Sequence, residues 1–171
     1  QSGSNKILKS MNRKHTIEEY LKVYESLKEI NPNVEFSSDF IIGYPGEDED
    51  DFNKTMELIE KIGFINSYSF IFSARPGTVA ADLTQVNAVK SKERLEIIQK
   101  RLFENQIKKN KSLENKILNV LVENIMKDGI KLFGRTEYMT SVIFDGDIDN
   151  IGKIVQVEIT SSNQNSLFGK L

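Results

Sequence analysis

The stretch FIIGYPGEDEDDF, residues 40–52, runs from an apolar segment through Gly43-Tyr44-Pro45-Gly46 into five consecutive carboxylates. Glycines at 43 and 46 let a backbone come close to a ligand, and the acidic run falls where a helix would begin, in a field that favours negative charge. Consecutive carboxylates do not share one helical face. Glu49, Asp50 and Asp51 are therefore read as helix-start electrostatics on a solvated surface and not as a metal site. Asp39 is a carboxylate among apolar neighbours in a strand-like stretch; such a group is costly unless paired or used, and a ligand contact and a structural salt bridge are both open to it. Arg75, in SARPGT, precedes the rigid Pro76-Gly77 turn at a strand end and is read as a functional cation. Arg13 and Lys14, beside the single histidine His15, could meet an anion, solvated charge being the competing reading for Lys14. One histidine and no cysteine make no metal site, no disulfide and no cysteine nucleophile.

The elements that must hold these residues follow from periodicity. TIEEYLKVYESLKEI, residues 16–30, places Ile17, Tyr20, Leu21, Tyr24, Leu27 and Ile30 on one helical face, with Thr16 and Glu19 spaced as a capping box and Asn31-Pro32 as the stop. VEFSSDFII, residues 34–42, alternates as a strand does: Val34, Phe36, Phe40 and Ile42 oppose Glu35, Ser37, Asp39 and Ile41. A second helical pattern from Glu49 to Ile62 turns Phe52, Met56, Ile59 and Ile62 inward and closes at Gly63. SYSFIFS, residues 67–73, then sets Tyr68, Phe70 and Phe72 against Ser67, Ser69, Ile71 and Ser73. Helix, strand, helix, strand at this spacing predicts βα units and a parallel sheet, open or closed into a barrel. In such a barrel the bulky face packs under the helices and the small, polar face lines the lumen, which places Asp39 and Ser69 inward near the turns GYPGE and SARPGT. Residues 90–116 form a long charged helix with Leu95, Ile98, Leu102 and Ile107 as its apolar stripe.

From Lys116 the texture becomes β-like: ILNVLVENI, a Lys127-Asp128-Gly129 turn, IKLFGRTEYMTSVIF, an Asp145-Gly146 turn and KIVQVEIT. Several short strands with turn signals predict a small β-barrel, with a domain boundary near residue 112. Lys and Arg number 9 against 14 Asp and Glu over residues 1–89, 9 against 4 over 90–116, and 5 against 7 over 117–171. The basic middle helix is open to two readings, phosphate contact or simple solvation. The barrel region is not basic, so its nucleic-acid candidates are Phe133, Arg135, Tyr138, Phe144 and Phe168, with core packing as the competing role for most of the aromatics. Hydrophobic residues make up 39% and charged ones 28%, and no apolar run is long enough to span a bilayer, so no membrane role is implied. The chain opens QSGS, with neither an initiator methionine nor a signal-peptide pattern, and is read as a piece of something longer.

Taken together, QSGSNKILKSMNRKHT, SSDFIIGYPGEDEDDF, YSFIFSARPGT and the terminal NSLFGKL resemble the radical S-adenosylmethionine methylthiotransferases, in particular the MiaB-type tRNA enzymes. The likeness covers essentially the whole chain in order. The NSLFGKL ending and the RPGT turn resemble the tRNA isopentenyladenosine branch more than the ribosomal-protein or threonylcarbamoyladenosine branches. The resemblance implies an α/β fold: the second half of a partial (βα) radical barrel over residues 1–112, with residues 90–112 as its closing helix, then an OB-like TRAM β-barrel over 113–171 that binds RNA. It implies S-adenosylmethionine and two 4Fe-4S clusters as cofactors of the whole enzyme, and methylthio insertion at C2 of isopentenylated adenosine beside the anticodon. Its implied partners are a tRNA anticodon stem-loop and an N-terminal half of the same enzyme, and its implied compartment is the cytoplasm.

By the same resemblance Gln1, Ser2 and Gly3 fit a strand end beside S-adenosylmethionine. Arg13, Asp39, Gly43, Pro45 and Arg75 fall where the barrel mouth holds cofactor or substrate. Arg75, Arg135, Tyr138 and Phe168 are the candidates for substrate contact. Both cluster-binding cysteine sets of the family lie upstream of the matching region, and this chain has no cysteine. The expectation is a catalytically incompetent C-terminal portion: a truncated form, a split-gene product or a remnant. The competing reading is a stand-alone RNA-binding module.

Overall fold

The computed structural model describes residues 1–127 and 129–171; Asp128, in the expected Lys127-Asp128-Gly129 turn, lies outside the described residues. Two compact units divide the chain, Gln1–Leu102 and Phe103–Leu171.

The first unit contains α1 (Asn5–Ser10), α2 (Ile17–Ile30), β1 (Asp39–Ile42), α3 (Glu49–Ile62), β2 (Tyr68–Ile71) and the first part of α4 (Ala88–Ser112). The expected capping box opens α2. Thr16 Oγ1 accepts from the Glu19 N–H (3.3 Å), and the Glu19 carboxylate accepts from the Thr16 N–H (2.8 Å). Ile17, Tyr20, Leu21 and Tyr24 half-cover the core, whereas Leu27 and Ile30 are exposed, not inward as their spacing predicts. The core beneath α2 runs as far as Phe36, which Tyr24 covers at 4.9 Å between ring centroids, and Leu27 and Ile30 lie outside that cluster.

β1 begins at Asp39 rather than Val34. Upstream, Ser38 N–H donates to Ser67 Oγ (3.0 Å) and Ser37 Oγ donates to the Asn66 carbonyl (2.9 Å). Side-chain bonds of this kind compete with a regular ladder. β1 and β2 pair in parallel, with Asp39 opposite Tyr68, Phe40 opposite Ser69, Ile41 opposite Phe70 and Ile42 opposite Ile71. α3 starts at a second capping box, Asp48 with Asp51, and stops at Gly63, whose φ of +70° is the left-handed conformation glycine adopts without strain. Phe40, Ile42, Phe52, Leu58, Ile59, Ile62, Phe64, Ile98 and Leu102 make the core.

In α4, Ile98 and Leu102 are buried as expected, but Ile107 is exposed. The helix crosses from one unit to the other, so a single stripe does not serve its whole length. Its last turns bury Asn110, whose amide donates to the carbonyls of Asn163 (2.8 Å) and Gln164 (3.1 Å).

The second unit is a closed barrel of β3 (Ile117–Ile125), β4 (Lys131–Thr136), β5 (Ser141–Asp145), β6 (Ile154–Ser162) and β7 (Ser166–Lys170), ordered β3-β4-β5-β7-β6, with β6 returning to β3. Val120, Val122, Leu132, Val142, Phe144, Val157, Ile159 and Leu167 alternate inward to fill it. Gly169 sits where β7 crosses β6 closely: a Cβ there would lie 2.5 Å from the Glu158 carbonyl oxygen. No helix among the described residues is long and apolar enough to cross a membrane.

Candidate functional site

The parallel register decides which side chains share a face, because paired residues project to the same side of a parallel sheet. Phe40 and Ile42 are buried under the helices, so their partners Ser69 and Ile71 project to that side. Asp39, Ile41, Tyr68 and Phe70 share the opposite, open face, where Tyr68 is 66% and Phe70 55% exposed. This corrects the expected orientation of β2, whose aromatic face looks outward while Ser69 turns toward the helix side. Bulk is a poor guide here because β2 is an edge strand whose helix side is only partly covered. It also corrects the desolvation argument for Asp39, which is exposed and needs no buried partner.

The QSGS segment lies along the other edge of β1: the Gln1 carbonyl accepts from the Ile41 N–H at 3.0 Å. Arg13 and Asp39 both lie within electrostatic reach of the Gln1 backbone nitrogen. Gln1, exposed Arg13 and Asp39 thus gather at one place. Ser2 and Gly3 are instead buried against α3, where Thr55 Oγ1 accepts from the Gly3 N–H (2.9 Å) and lies 3.3 Å from Ser2 Oγ. A Cβ on Gly3 would stand 2.3 Å from the Lys54 carbonyl oxygen, so the third position admits no side chain without displacing α3. Ser4 caps α1 and donates to Asp51 Oδ1 at 2.6 Å.

The GYPGE turn is fixed from behind. Gly43 has φ +71°, and a Cβ there would fall 2.3 Å from Ser91 Oγ of α4. Its N–H donates to the Glu47 carboxylate (3.2 Å), which also accepts from Arg94 Nη1 (2.8 Å). Glu47 and Arg94 are both buried, and burial pushes the Glu47 carboxyl above its usual range despite the neighbouring guanidinium. Pro45 is buried beside them in sequence, and Tyr44 Oη donates to the Ser10 carbonyl at 2.9 Å. The turn therefore presents backbone, not free side chains. Ser91 and Arg94 were not singled out by sequence. The signal was a polar pair on the same helical face as Leu95, Ile98 and Leu102.

The acidic run also behaves differently from the spacing argument. Oxygens of Asp48, Asp50 and Asp51 lie within 4.8 Å of one another, because Asp48 is the N-cap and its extended backbone brings its side chain over the first turn. Lysines occupy the cluster: Lys6 Nζ is 2.7 Å from Asp48 and 2.5 Å from Asp51, and Lys54 is 2.6 Å from Asp50. The hydrogen bond from Lys6 holds the Asp48 carboxyl well below the ordinary range.

On the barrel, Phe133, Ile143 and Phe168 are opposite one another across β4, β5 and β7, forming a half-buried row on its outer face. Arg135, two residues along β4 on the same face, places its guanidinium 5.5 Å from the Phe133 ring centroid and bonds Glu123 at 3.2 Å. Lys109 stands over the Tyr138 ring at 4.3 Å. Phe144 is 1% exposed and belongs to the core, which removes it from the surface candidates.

Residues 1–59 match the Radical SAM superfamily, and residues 111–171 match the TRAM domain. Over its full 171 residues the chain is 83% identical to the tRNA-2-methylthio-N(6)-dimethylallyladenosine synthase of Pelagibacter ubique (strain HTCC1062), of which it covers 38%. It is 48% identical over its full length to the protein of that name from Ruthia magnifica subsp. Calyptogena magnifica, and 46% identical over 99% of its length to that from Anaplasma phagocytophilum (strain HZ), covering 39% of each. The chain spans about two-fifths of the length of these curated relatives and corresponds to their C-terminal part. With a radical-SAM sheet segment followed by a TRAM barrel, and these identities, the chain is similar over its whole length to the C-terminal part of these synthases.

Proposed function

We propose that this chain is the C-terminal portion of a tRNA methylthiotransferase that adds a methylthio group at C2 of an N6-isopentenylated adenosine beside the anticodon. The observation that carries the reading is the 83% identity over every residue to a synthase named for that modified nucleoside. In this reading the open face of the β1–β2 sheet is half of the reaction chamber, and the barrel is the RNA grip. Its partners are a cysteine-bearing N-terminal half and a tRNA anticodon stem-loop, and its compartment is the cytoplasm.

The residues of this chain do not fit a 4Fe-4S cluster, since such clusters are held by thiolates and there is no cysteine. No step of the reaction is therefore carried by this chain alone. S-adenosylmethionine, when bound with a cluster, supplies the radical that can activate an unactivated C–H bond. What this chain contributes is placement. Gln1, Arg13 and Asp39 offer a carbonyl-bearing strand end, a cation and a carboxylate at one end of the open sheet. Ser2 and Gly3 seat that strand end on α3, and Gly43 and Pro45 hold the neighbouring turn. Arg75 meets substrate at the end of β2, and Arg135, Tyr138 and Phe168 meet RNA on the barrel, whose RNA-binding domain begins near residue 113. Phe133 and Phe168 suit base stacking, which contributes about 1–3 kcal/mol per base, and Arg135 suits a phosphate.

The test is fluorescence anisotropy of the whole chain with an anticodon stem-loop across a salt series. The reading expects affinity to fall with salt, to weaken with Arg135→Ala together with Phe168→Ala, and to leave the fold intact. Salt-independent binding, or none, contradicts it. The stand-alone RNA-binding reading, which the absence of cysteine favours, expects the same binding but no dependence on residues of the first unit.

A further inference from the structure

Helix α2 has two apolar faces, one covered and one exposed. Ile17, Tyr20, Leu21 and Tyr24 pack on the core. Val23, Leu27 and Ile30, at i, i+4 and i+7, form a second stripe that is 59%, 40% and 81% exposed. The neighbouring helix fixes the direction of that stripe. Glu25 of α2 pairs with Lys61 of α3 at 3.5 Å, and Glu18 and Leu21 share a groove with Lys54 and Leu58 of α3. Glu18, Leu21 and Glu25 lie on the flank of α2 opposite Val23, Leu27 and Ile30, so the stripe faces away from α3. The sheet is open at the same end. The Gln1 carbonyl accepts from the Ile41 N–H, which places the QSGS segment on the edge of β1 that β2 does not occupy. A cavity of about 150 Å3 lies at this edge, lined by Gln1, Ile17, Tyr20, Phe40, Leu58 and Phe64 among others. An apolar cavity of about this size takes a benzene-sized group. Tyr20 is one helical turn before Val23, so cavity and stripe adjoin.

We propose that the outer flank of α2 is the docking face for the upstream portion of the whole enzyme. An amphipathic helix of that portion packs on Val23, Leu27 and Ile30, and one of its apolar side chains fills the neighbouring cavity. The inference rests on the reading of the preceding subsection and adds to it the surface that holds the two portions together. Connectivity selects the occupant. This chain covers 38% of the Pelagibacter ubique synthase, as its C-terminal part, so in that relative a longer portion precedes the matched residues. That portion joins at the position of Gln1, beside the cavity and on the far side of β1 from β2. The chemistry agrees: three aliphatic side chains gain from burial against another apolar surface and offer nothing to a phosphate backbone. The exposed edge of β2 and the open face bearing Tyr68 and Phe70 take no part in this contact.

The test co-expresses the 171-residue chain with a tagged form of the portion of the Pelagibacter ubique synthase that precedes the matched residues, and measures how much of the chain is recovered with it. The parent chain should be retained, and Leu27→Lys combined with Ile30→Lys should weaken the association by about 30-fold or more. Ile154→Lys, at an exposed isoleucine of the barrel, should leave it unchanged. Both substituted positions of α2 are exposed, so the melting temperature of the double variant by itself should match that of the parent. Association that survives the double substitution overturns the inference and leaves the enzyme-half reading in place. Dimerisation of the chain alone in sedimentation, lost in the double variant, overturns it by making a second copy the occupant. A tagged portion that shows iron–sulfur absorbance and never retains the chain defeats the enzyme-half reading, and the surface with it. Where that portion shows no such absorbance by itself, the two are joined as one polypeptide and compared with the chain alone by hydroxyl-radical footprinting. A fall in oxidation of about fivefold or more at Val23, Leu27 and Ile30 then supports the surface, and unchanged oxidation at all three overturns it.

Discussion

The two units solve the problem of unpaired strand edges in opposite ways. In the barrel every strand has two neighbours, the inward residues are fully buried, and Phe133, Ile143 and Phe168 form a half-buried row on the outer face. In the first unit two parallel strands carry helices on one side and leave Tyr68 and Phe70 exposed on the other. An edge left open with aromatics on it is a liability in a finished fold. Under the proposed reading that open face, with Asp39, Gln1, Arg13 and Arg75 near it, is the side on which cofactor and substrate enter, whereas the barrel closes on itself.

Phenylalanine truncation should show the contrast most strongly. Phe144→Ala, inside the barrel, should destabilise that unit by about 3–5 kcal/mol, whereas Phe70→Ala should shift stability by less than about 0.5 kcal/mol. Hydrogen exchange resolved by residue measures the two units separately. A large loss from Phe70→Ala would mean that the open face is a core after all. Next in size is the buried pair behind the GYPGE turn. Arg94→Ala should cost about 3 kcal/mol, because it leaves the buried Glu47 carboxylate without its guanidinium, while replacing both residues with methionine should be close to neutral. An equal cost for the double replacement would show that packing, not charge pairing, fixes the turn.

A smaller effect tests the closure of the barrel. Gly169→Ala forces a methyl toward the Glu158 carbonyl and should destabilise by about 1–3 kcal/mol, with exchange protection lost first in β6 and β7. The smallest effect is electrostatic. The folded-state pKa of Asp48 lies below its ordinary 3.8, so the Lys6 contact stabilises the fold above that pH and its contribution fades as pH falls toward the lowered value. Lys6→Ala should therefore be less stable than the parent at neutral pH, and the gap should close in acid. A gap that widens in acid would reverse the sign and the explanation with it.

Local grammar in the sequence carries far here. The Thr16/Glu19 capping box and the Gly63 stop appear where their residue types require them, because each depends on bonds within a few residues. Alternation puts Asp39 and Ile41 on one face of β1, where the structure has them, but it does not say which face is covered. That depends on the parallel register, which is set by a partner strand elsewhere in the chain, so alternation alone turns the aromatic set of β2 the wrong way. The Asp48 carboxylate escaped a helical-spacing rule because a cap residue is not helical. The Glu47–Arg94 pair lay out of sight because its members are far apart in sequence. In the barrel, Phe133, Phe144 and Phe168 look alike as letters, and only the inward or outward phase of each strand distinguishes a core ring from a surface one.

The central claim is that the open sheet of this chain is one half of a reaction chamber. Nucleoside mass spectrometry of tRNA from a methylthiotransferase-deficient cell, expressing this chain with and without a cysteine-bearing N-terminal half from a relative, tests it most directly. The account predicts that methylthio-isopentenyladenosine returns only when both halves are present, and that the chain alone restores none. Its return with this chain alone, or its failure to return with both halves folded and associated, would contradict the account.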